Sequence, residues 1–379
     1  MMLSRDRILT THVGSLPRPD ALRALLAQKD KGEALDEAGF ERELAAAVRA
    51  TVRRQVALGI DLVSDGEMGK VSYSTYVTER IAGFSGSGPG TVARDLQDFP
   101  EFAKTSNRGL GVKRPLCEAP LAAKDGRPLQ RDLANFRAAV AEAHPTGAFL
   151  TAASPGVVAY FLRNRYYPSH EAYLAALVPL LRAEYEAIVA AGFDVQLDCP
   201  DLAMSRHIGY ADASDAEFQR LSEAAVEALG EATRNIPAER MRVHLCWGNY
   251  AGPHHHDLPL ERVLPLALKT RAKAISFEGA NPRHEHEWEV FRQVRLPDDR
   301  VILPGVIDSA TNFIEHPRLV AQRIARYARE VGKERVIASV DCGFGTSGLV
   351  QGIDPEIAWA KLGALAEGAK IASDRLWQK

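Results

Sequence analysis

The chain has 379 residues, of which 46% are hydrophobic and 25% charged, enough for one large globular domain or two smaller ones. A formal net charge of -2 carries no polyelectrolyte signature, so nucleic acid and anionic membranes are excluded as main partners and a small molecule is the default. No stretch approaches the ~18 uninterrupted apolar residues of a membrane span, the N-terminus lacks a secretory leader pattern, and the four cysteines are too dispersed for a secreted disulfide scaffold; the reading is cytoplasmic.

Short apolar runs of strand length follow one another along the chain, at Ile8–Leu16, Asp61–Glu67, Ala148–Pro155, Asp194–Asp198, Arg242–Trp247, Ala274–Glu278, Val301–Ile307 and Val336–Cys342. Between them lie segments with apolar residues three and four apart, at Glu41–Leu58, Tyr173–Ala191, Asp215–Arg234, Leu260–Lys269, Pro317–Val331 and Glu356–Ser373. Alternating strands and helices argue a parallel sheet, and eight units argue an α/β fold of the (β/α)8 TIM-barrel type, spanning 1–379 as a single domain. A doubly wound open sheet is the competing architecture. The barrel is favoured because Glu67, Asp198, His244, Cys246, Glu278, Asp308 and Cys342 all fall at or just past the C-terminal ends of the runs, where a barrel gathers its active site. The stretch 83–146, opening on Gly-Phe-Ser-Gly-Ser-Gly-Pro-Gly and ending in a helical pattern near Leu129–His144, breaks the rhythm. It reads as an excursion at the barrel mouth between the second and third units.

His244 and Cys246 stand two apart on a predicted strand and so point the same way. With Cys342 and Glu278 at the ends of other strands they make a nitrogen, sulfur and oxygen set suited to Zn2+. Two thiolates and a carboxylate leave the metal site with a charge of about -1, a weak Lewis acid better suited to holding a substrate thiolate than to making hydroxide. A free thiol, with a pKa of about 8.5, is mostly protonated at neutral pH, so the chemistry implied is S-alkylation. Cys117 and Cys199 lack such company and read as structural. His254, His255 and His256 are neighbours that cannot all face one ion in an extended segment, and read as a solvated loop. His284 and His286 read as second-choice metal ligands or a helix cap.

These residues resemble the catalytic C-terminal barrel of the cobalamin-independent methionine synthases. That family holds zinc with a His-x-Cys pair, a glutamate in Ile-Ser-x-Glu and a cysteine in Asp-Cys-Gly. This chain has His244-Leu-Cys246, Ile275-Ser-Phe-Glu278 and Asp341-Cys342-Gly343 in that order. Thr11-His-Val-Gly14-Ser15-Leu-Pro17 is similar to the family loop that holds the amino-acid carboxylate, and Asp65-Gly66-Glu67 and Gln196-Leu-Asp198 are similar to the motifs whose acids hold the amino group. The resemblance implies Zn2+ on His244, Cys246, Glu278 and Cys342, and substrate binding by Gly14, Ser15, Glu67 and Asp198. It assigns catalytic parts to Glu278 and Asp308, with homocysteine as the thiol and methyltetrahydrofolate or another methyl donor as its partner. The chain is too short for the second barrel of the long family members and resembles the short branch. The family's Gly-Val-Tyr-Asp-Ile-His reads here Gly305-Val-Ile-Asp308-Ser-Ala310, without the histidine that helps protonate the folate leaving group. Two alternatives stand beside methyl transfer to homocysteine: alkyl transfer to another thiol, as in the epoxyalkane:coenzyme M transferases of the short branch, and a non-catalytic zinc or thiol-binding protein.

Overall fold

A computed structural model describes residues 3–106, 113–349 and 352–378. Eight strands form one sheet, every pairing parallel. They are β1 (Leu9–Thr10), β2 (Leu62–Val63), β5 (Gly147–Ala153), β6 (Asp194–Asp198), β7 (Met241–His244), β8 (Ala274–Phe277), β9 (Val301–Ile307) and β10 (Ile337–Val340). The order β1-β10-β9-β8-β7-β6-β5-β2 brings the two ends of the sheet together. There the Asp61 amide donates to the Thr10 carbonyl at 3.1 Å and Thr11 Oγ1 to the Leu62 carbonyl at 3.0 Å, so the barrel is nearly closed. The expected barrel is observed, and the open sheet is not.

The strands are buried apolar runs because helices cover their outer face. Those helices start where side-chain oxygens satisfy their first amides: Asp36 accepts from Gly39 before Glu37–Ala57, Ser214 from Glu217 before Asp215–Ala232, and Asp354 from Glu356 and Ile357 before Pro355–Leu376. Inside the barrel Leu9, Leu62, Ala274, Val301, Leu303 and Ile337 form an apolar plug at the N-terminal ends of the strands. Above it lies a polar layer. The wholly buried Arg242 donates to Gln196 Oε1 at 2.7 Å, to Thr11 Oγ1 at 2.9 Å and to the His12 carbonyl, with its guanidinium 3.5 Å from the centre of the Phe149 ring. Burial pushes this guanidinium down to about 9. Replacing it strands three buried acceptors, so Arg242→Met is expected to cost about 2–4 kcal/mol. Denaturant unfolding checks this, and an unchanged midpoint would mean that the polar layer does not hold the barrel together.

The first two strands are much shorter than the apolar runs that announced them. Past Thr10 and Val63 the backbone turns into loops held by side chains: the Gly14 amide donates to His12 Nδ1 at 3.2 Å, and the Gly66 amide to Ser64 Oγ at 3.0 Å. Between β2 and β5, strands β3 (Ile81–Ser85) and β4 (Leu116–Ala123) form an antiparallel hairpin, with short helices Arg94–Gln97 and Pro100–Thr105 between them. Residues 107–112 of this stretch lie outside the described residues. The helix Arg127–Ala143, read from sequence as part of the excursion, packs on Glu37–Ala57 and is the barrel helix leading to β5. Its apolar face made it visible as a helix, but nothing local said which body it covers.

Candidate metal centre and substrate cavity

His244 closes β7 and Cys246 lies two residues on, so the alternation of the strand turns both toward the barrel axis. Cys342 arrives from the far side, two residues past β10, whose register on β9 shifts between Ser339 and Val340. The structure brings the three together: the two Sγ atoms are 3.5 Å apart, and all three ligand atoms fall within 4.8 Å of one another, every residue buried. His244 Nδ1 contacts Ser276 Oγ at 3.2 Å, which leaves Nε2 buried with no partner. Burial, with Arg242 below, pushes this imidazole down to about 3 and keeps it neutral. An orphaned neutral nitrogen facing two thiols fits a tetrahedral metal, whose ~2.3 Å bonds to sulfur would set two sulfurs about 3.8 Å apart.

Glu278, one residue past β8, stands beside this group. Its Oε1 accepts from the Trp247 amide at 2.8 Å and its Oε2 from Asn281 Nδ2 at 2.9 Å. Asp341 ties the loops together, accepting from the amides of Gly279, Ala280 and Asn281, each at 2.8 Å. That carboxylate fixes the turn carrying Glu278 against the turn carrying Cys342. Asp308, at the end of β9, spends its carboxylate in its own loop, accepting from the Ala310 amide at 2.8 Å and from Thr311 Oγ1. It is Ser309 and Ala310, rather than Asp308, that line the cavity.

That cavity, about 740 Å³, opens over His244, Cys246 and Cys342 and is also lined by Ser15, Glu67 and Asp198. Glu67 sits in the left-handed region at φ 57, a conformation uncommon for a non-glycine residue, and Asp65 Oδ1 accepts its amide at 2.9 Å. Its carboxylate accepts from Thr151 Oγ1, with Lys70 Nζ 3.6 Å away. Asp198, paired in register with His244, accepts from Gln196 Nε2 at 2.8 Å. Burial, reinforced by the neighbouring Glu67, raises the Asp198 carboxyl to about 8. Gly14 makes the turn rather than the wall: at φ +130 it occupies a conformation costly for other residues, and a methyl group there would collide with Thr151. A methyl group on Gly343 would collide with Ser15 Oγ, so the Asp-Cys-Gly turn and the Gly14-Ser15 loop meet in close contact.

The rest of the wall was not legible beforehand. Tyr73, Tyr160 and Phe161 line it, and Arg114, at the start of the β4 arm, lies over the Phe161 ring at 4.0 Å. No periodicity or spacing marks these residues, because they come from three separate places: Tyr73 from the loop after β2, Tyr160 and Phe161 from the end of helix Pro155–Phe161, and Arg114 from the hairpin. His316 does not stand in for the missing histidine, since its Nδ1 accepts from the Arg318 amide at the start of helix Pro317–Val331. His284 is buried between Asp257 Oδ2 at 3.0 Å and Glu287 Oε2 at 2.8 Å and packs on Trp247, a structural brace behind the site. Cys117 and Cys199 are buried away from the cluster, each with its thiol on a backbone carbonyl. No helix among the described residues is long and apolar enough to cross a membrane.

Known proteins resemble this chain in sequence and in fold. Residues 8–95 match the sequence profile described as "Cobalamin-independent synthase, Catalytic domain". The methionine synthase of Saccharolobus islandicus (strain Y.N.15.51 / Yellowstone #2) is 25% identical over 373 residues, covering 98% of this chain and 96% of that protein. The methionine synthase of Thermococcus kodakarensis is 24% identical over 370 residues, covering 97% and 94%. In fold, the chain is similar to a B12-independent methionine synthase from Shewanella sp. W3-18-1 solved in complex with selenomethionine, with a TM-score of 0.77 at 21% identity, covering 98% of this chain and 100% of that one. In sequence over nearly its whole length the chain is thus similar to methionine synthases, its residues 8–95 carry a match to the cobalamin-independent synthase catalytic domain, and its fold is that of a short, single-barrel B12-independent methionine synthase.

Proposed function

We propose that the protein is a zinc-dependent S-methyltransferase that moves a methyl group from methyltetrahydrofolate or another methyl donor to the thiol of homocysteine, giving methionine. The observation that carries this reading is a single cavity holding a His-Cys-Cys ligand set beside two buried carboxylates, Glu67 and Asp198. His244, Cys246 and Cys342 would hold Zn2+, with Glu278 beside them as the residue that would complete the set. Zinc, when bound, keeps a substrate thiol deprotonated at neutral pH while its sulfur ligands preserve the nucleophilicity of that thiol.

The side chains supply orientation. Glu67 and Asp198 hold the ammonium of the amino acid, and Ser15 with the backbone of the Gly14 turn holds its carboxylate. On binding, Asp198 gives up its proton to solvent and meets the ammonium as a carboxylate. The homocysteine sulfur then attacks the donor methyl in line, the new S–C bond forming as the bond from carbon to the leaving group breaks. Tyr73, Phe161 and Arg114 wall the outer cavity, where the donor lies and water is kept from the sulfur. Ala310 offers no proton to the leaving group, which favours a donor that needs little acid assistance.

A second reading, alkyl transfer to an anionic thiol such as coenzyme M, is favoured by the Arg114 guanidinium in the same cavity. A substrate panel separates the readings. Protein of known metal content is given homocysteine or coenzyme M, each with methyltetrahydrofolate, methylcobalamin or a small epoxide, and products are identified by mass spectrometry. Methionine from homocysteine is the expected result. Products on coenzyme M alone would install the second reading, and no turnover with any pair would leave a zinc or thiol-binding protein.

A further inference from the structure

A second cluster of metal-ligating side chains lies on the surface, away from the cavity lining. His255 Nε2 and His256 Nε2 both point at one carboxylate oxygen, Asp98 Oδ2, at 2.9 and 2.6 Å, with the two rings 4.2 Å apart. The three side chains each place a ligand atom within 4.8 Å of the others. In an extended segment consecutive histidines would face opposite ways. Here His254 sits at φ +53 in a turn, and its own ring is taken up by Asp257 and the Tyr250 carbonyl, which leaves its two neighbours side by side. The solvated loop read from the sequence is therefore an organised cluster.

Two imidazoles and a carboxylate, half-exposed so that water can complete the shell, are the donor set of an open site for Zn2+ or a similar borderline divalent ion. The placement adds a purpose. Asp98 follows helix Arg94–Gln97 in the excursion, whereas His255 and His256 belong to the loop that begins with Cys246. The same two segments are already joined where the Tyr250 hydroxyl and the His254 amide, the latter at 2.9 Å, donate to Asp95 Oδ2. Tyr250 on one segment and Ala93 and Phe102 on the other line the cavity.

We propose that Asp98, His255 and His256 form a second divalent-metal site that clasps the excursion to the loop bearing Cys246 and thereby fixes one wall of the cavity. This site stands independently of the catalytic reading, because none of its ligands belongs to the cavity cluster. It is tested by dialysing the full chain against micromolar Zn2+ and counting bound metal by mass spectrometry. The Cys246→Ser/Cys342→Ser double variant is expected to keep about one ion per chain, and the His255→Ala/His256→Ala double variant to lose about one relative to the unaltered protein. Cu2+ added to the cysteine double variant should give an electron paramagnetic resonance spectrum with two coordinated nitrogens, a readout that does not require the histidine variant to fold. Equal metal content in the histidine variant and the unaltered protein, or no nitrogen-coordinated Cu2+ in the cysteine variant, would overturn the site and show an imidazole-carboxylate hydrogen-bond cluster only.

Discussion

Cys342→Ala is expected to abolish stoichiometric metal binding in the cavity and to lower turnover by at least ~10³-fold, more than the ~10- to 100-fold typical of losing a group that only supports a ligand. The reasoning starts from geometry. Cys342 is the candidate ligand delivered from β10 across the barrel, and its Sγ lies 3.5 Å from that of Cys246. Without it the set is reduced to the two ligands of the β7 end and Glu278, whose two carboxylate oxygens are also engaged by Trp247 and Asn281, too few to hold the metal tightly. Loss of thiol ionisation alone would be modest, since a free thiol with a pKa of about 8.5 is still a few per cent thiolate at pH 7. The larger part is loss of position, as the sulfur and the donor methyl are no longer held at reacting distance. Cys117→Ala and Cys199→Ala serve as controls that keep the cavity metal, because both thiols lie elsewhere on backbone carbonyls. Metal content measured beside initial rates decides the matter: a Cys342→Ala protein with full cavity metal and native turnover would remove Cys342 from the site.

Glu67→Gln and Asp198→Asn should each raise KM for homocysteine by about 10- to 100-fold, the worth of one charge-assisted hydrogen bond of about 1.5–3 kcal/mol. Coenzyme M has no ammonium, so its affinity should be unchanged or improved by the same substitutions. The pH dependence has a definite sign. The Asp198 carboxyl is raised to about 8, chiefly by burial and then by Glu67, so in the free protein at neutral pH it holds its proton. An ammonium is held by the ionised form. Homocysteine affinity should therefore tighten as pH rises toward about 8 and level off above it. Asp198→Asn should make that slope shallower, leaving the part that comes from the proton the substrate thiol itself releases. A KM independent of pH in the unaltered protein, or native KM values in both variants, would take the amino-acid thiol away from this pair.

The two loops that follow β1 and β2 owe their shape to contacts that no local pattern announces. The runs Ile8–Leu16 and Asp61–Glu67 were visible as apolar segments, yet only Leu9–Thr10 and Leu62–Val63 pair as strands. The remainder is shaped by contacts with distant residues, such as Phe344 donating its amide to the Ser15 carbonyl and Arg18 donating to the carbonyls of Glu67 and Gly345. Asp308 was marked by its motif, and only the folded loop shows its carboxylate turned onto Ala310 and Thr311. The hairpin of β3 and β4 was legible only as a break in rhythm, because its short strands and turns have too little periodicity to announce a pairing.

The sequence by itself determined the alternation of strand and helix, and with it the barrel, because burial on both faces leaves continuous apolar strands and one-faced helices. It also determined that His244 and Cys246 face one way, since a strand repeats every two residues. Only the tertiary structure decided what meets them. Closure of the barrel brings Cys342 to Cys246 across 96 positions of chain, and the hairpin carries Asp98 to His255 and His256. Periodicity is a property of neighbours in sequence, whereas a ligand set or a cavity wall is fixed by packing between elements, which no local pattern encodes.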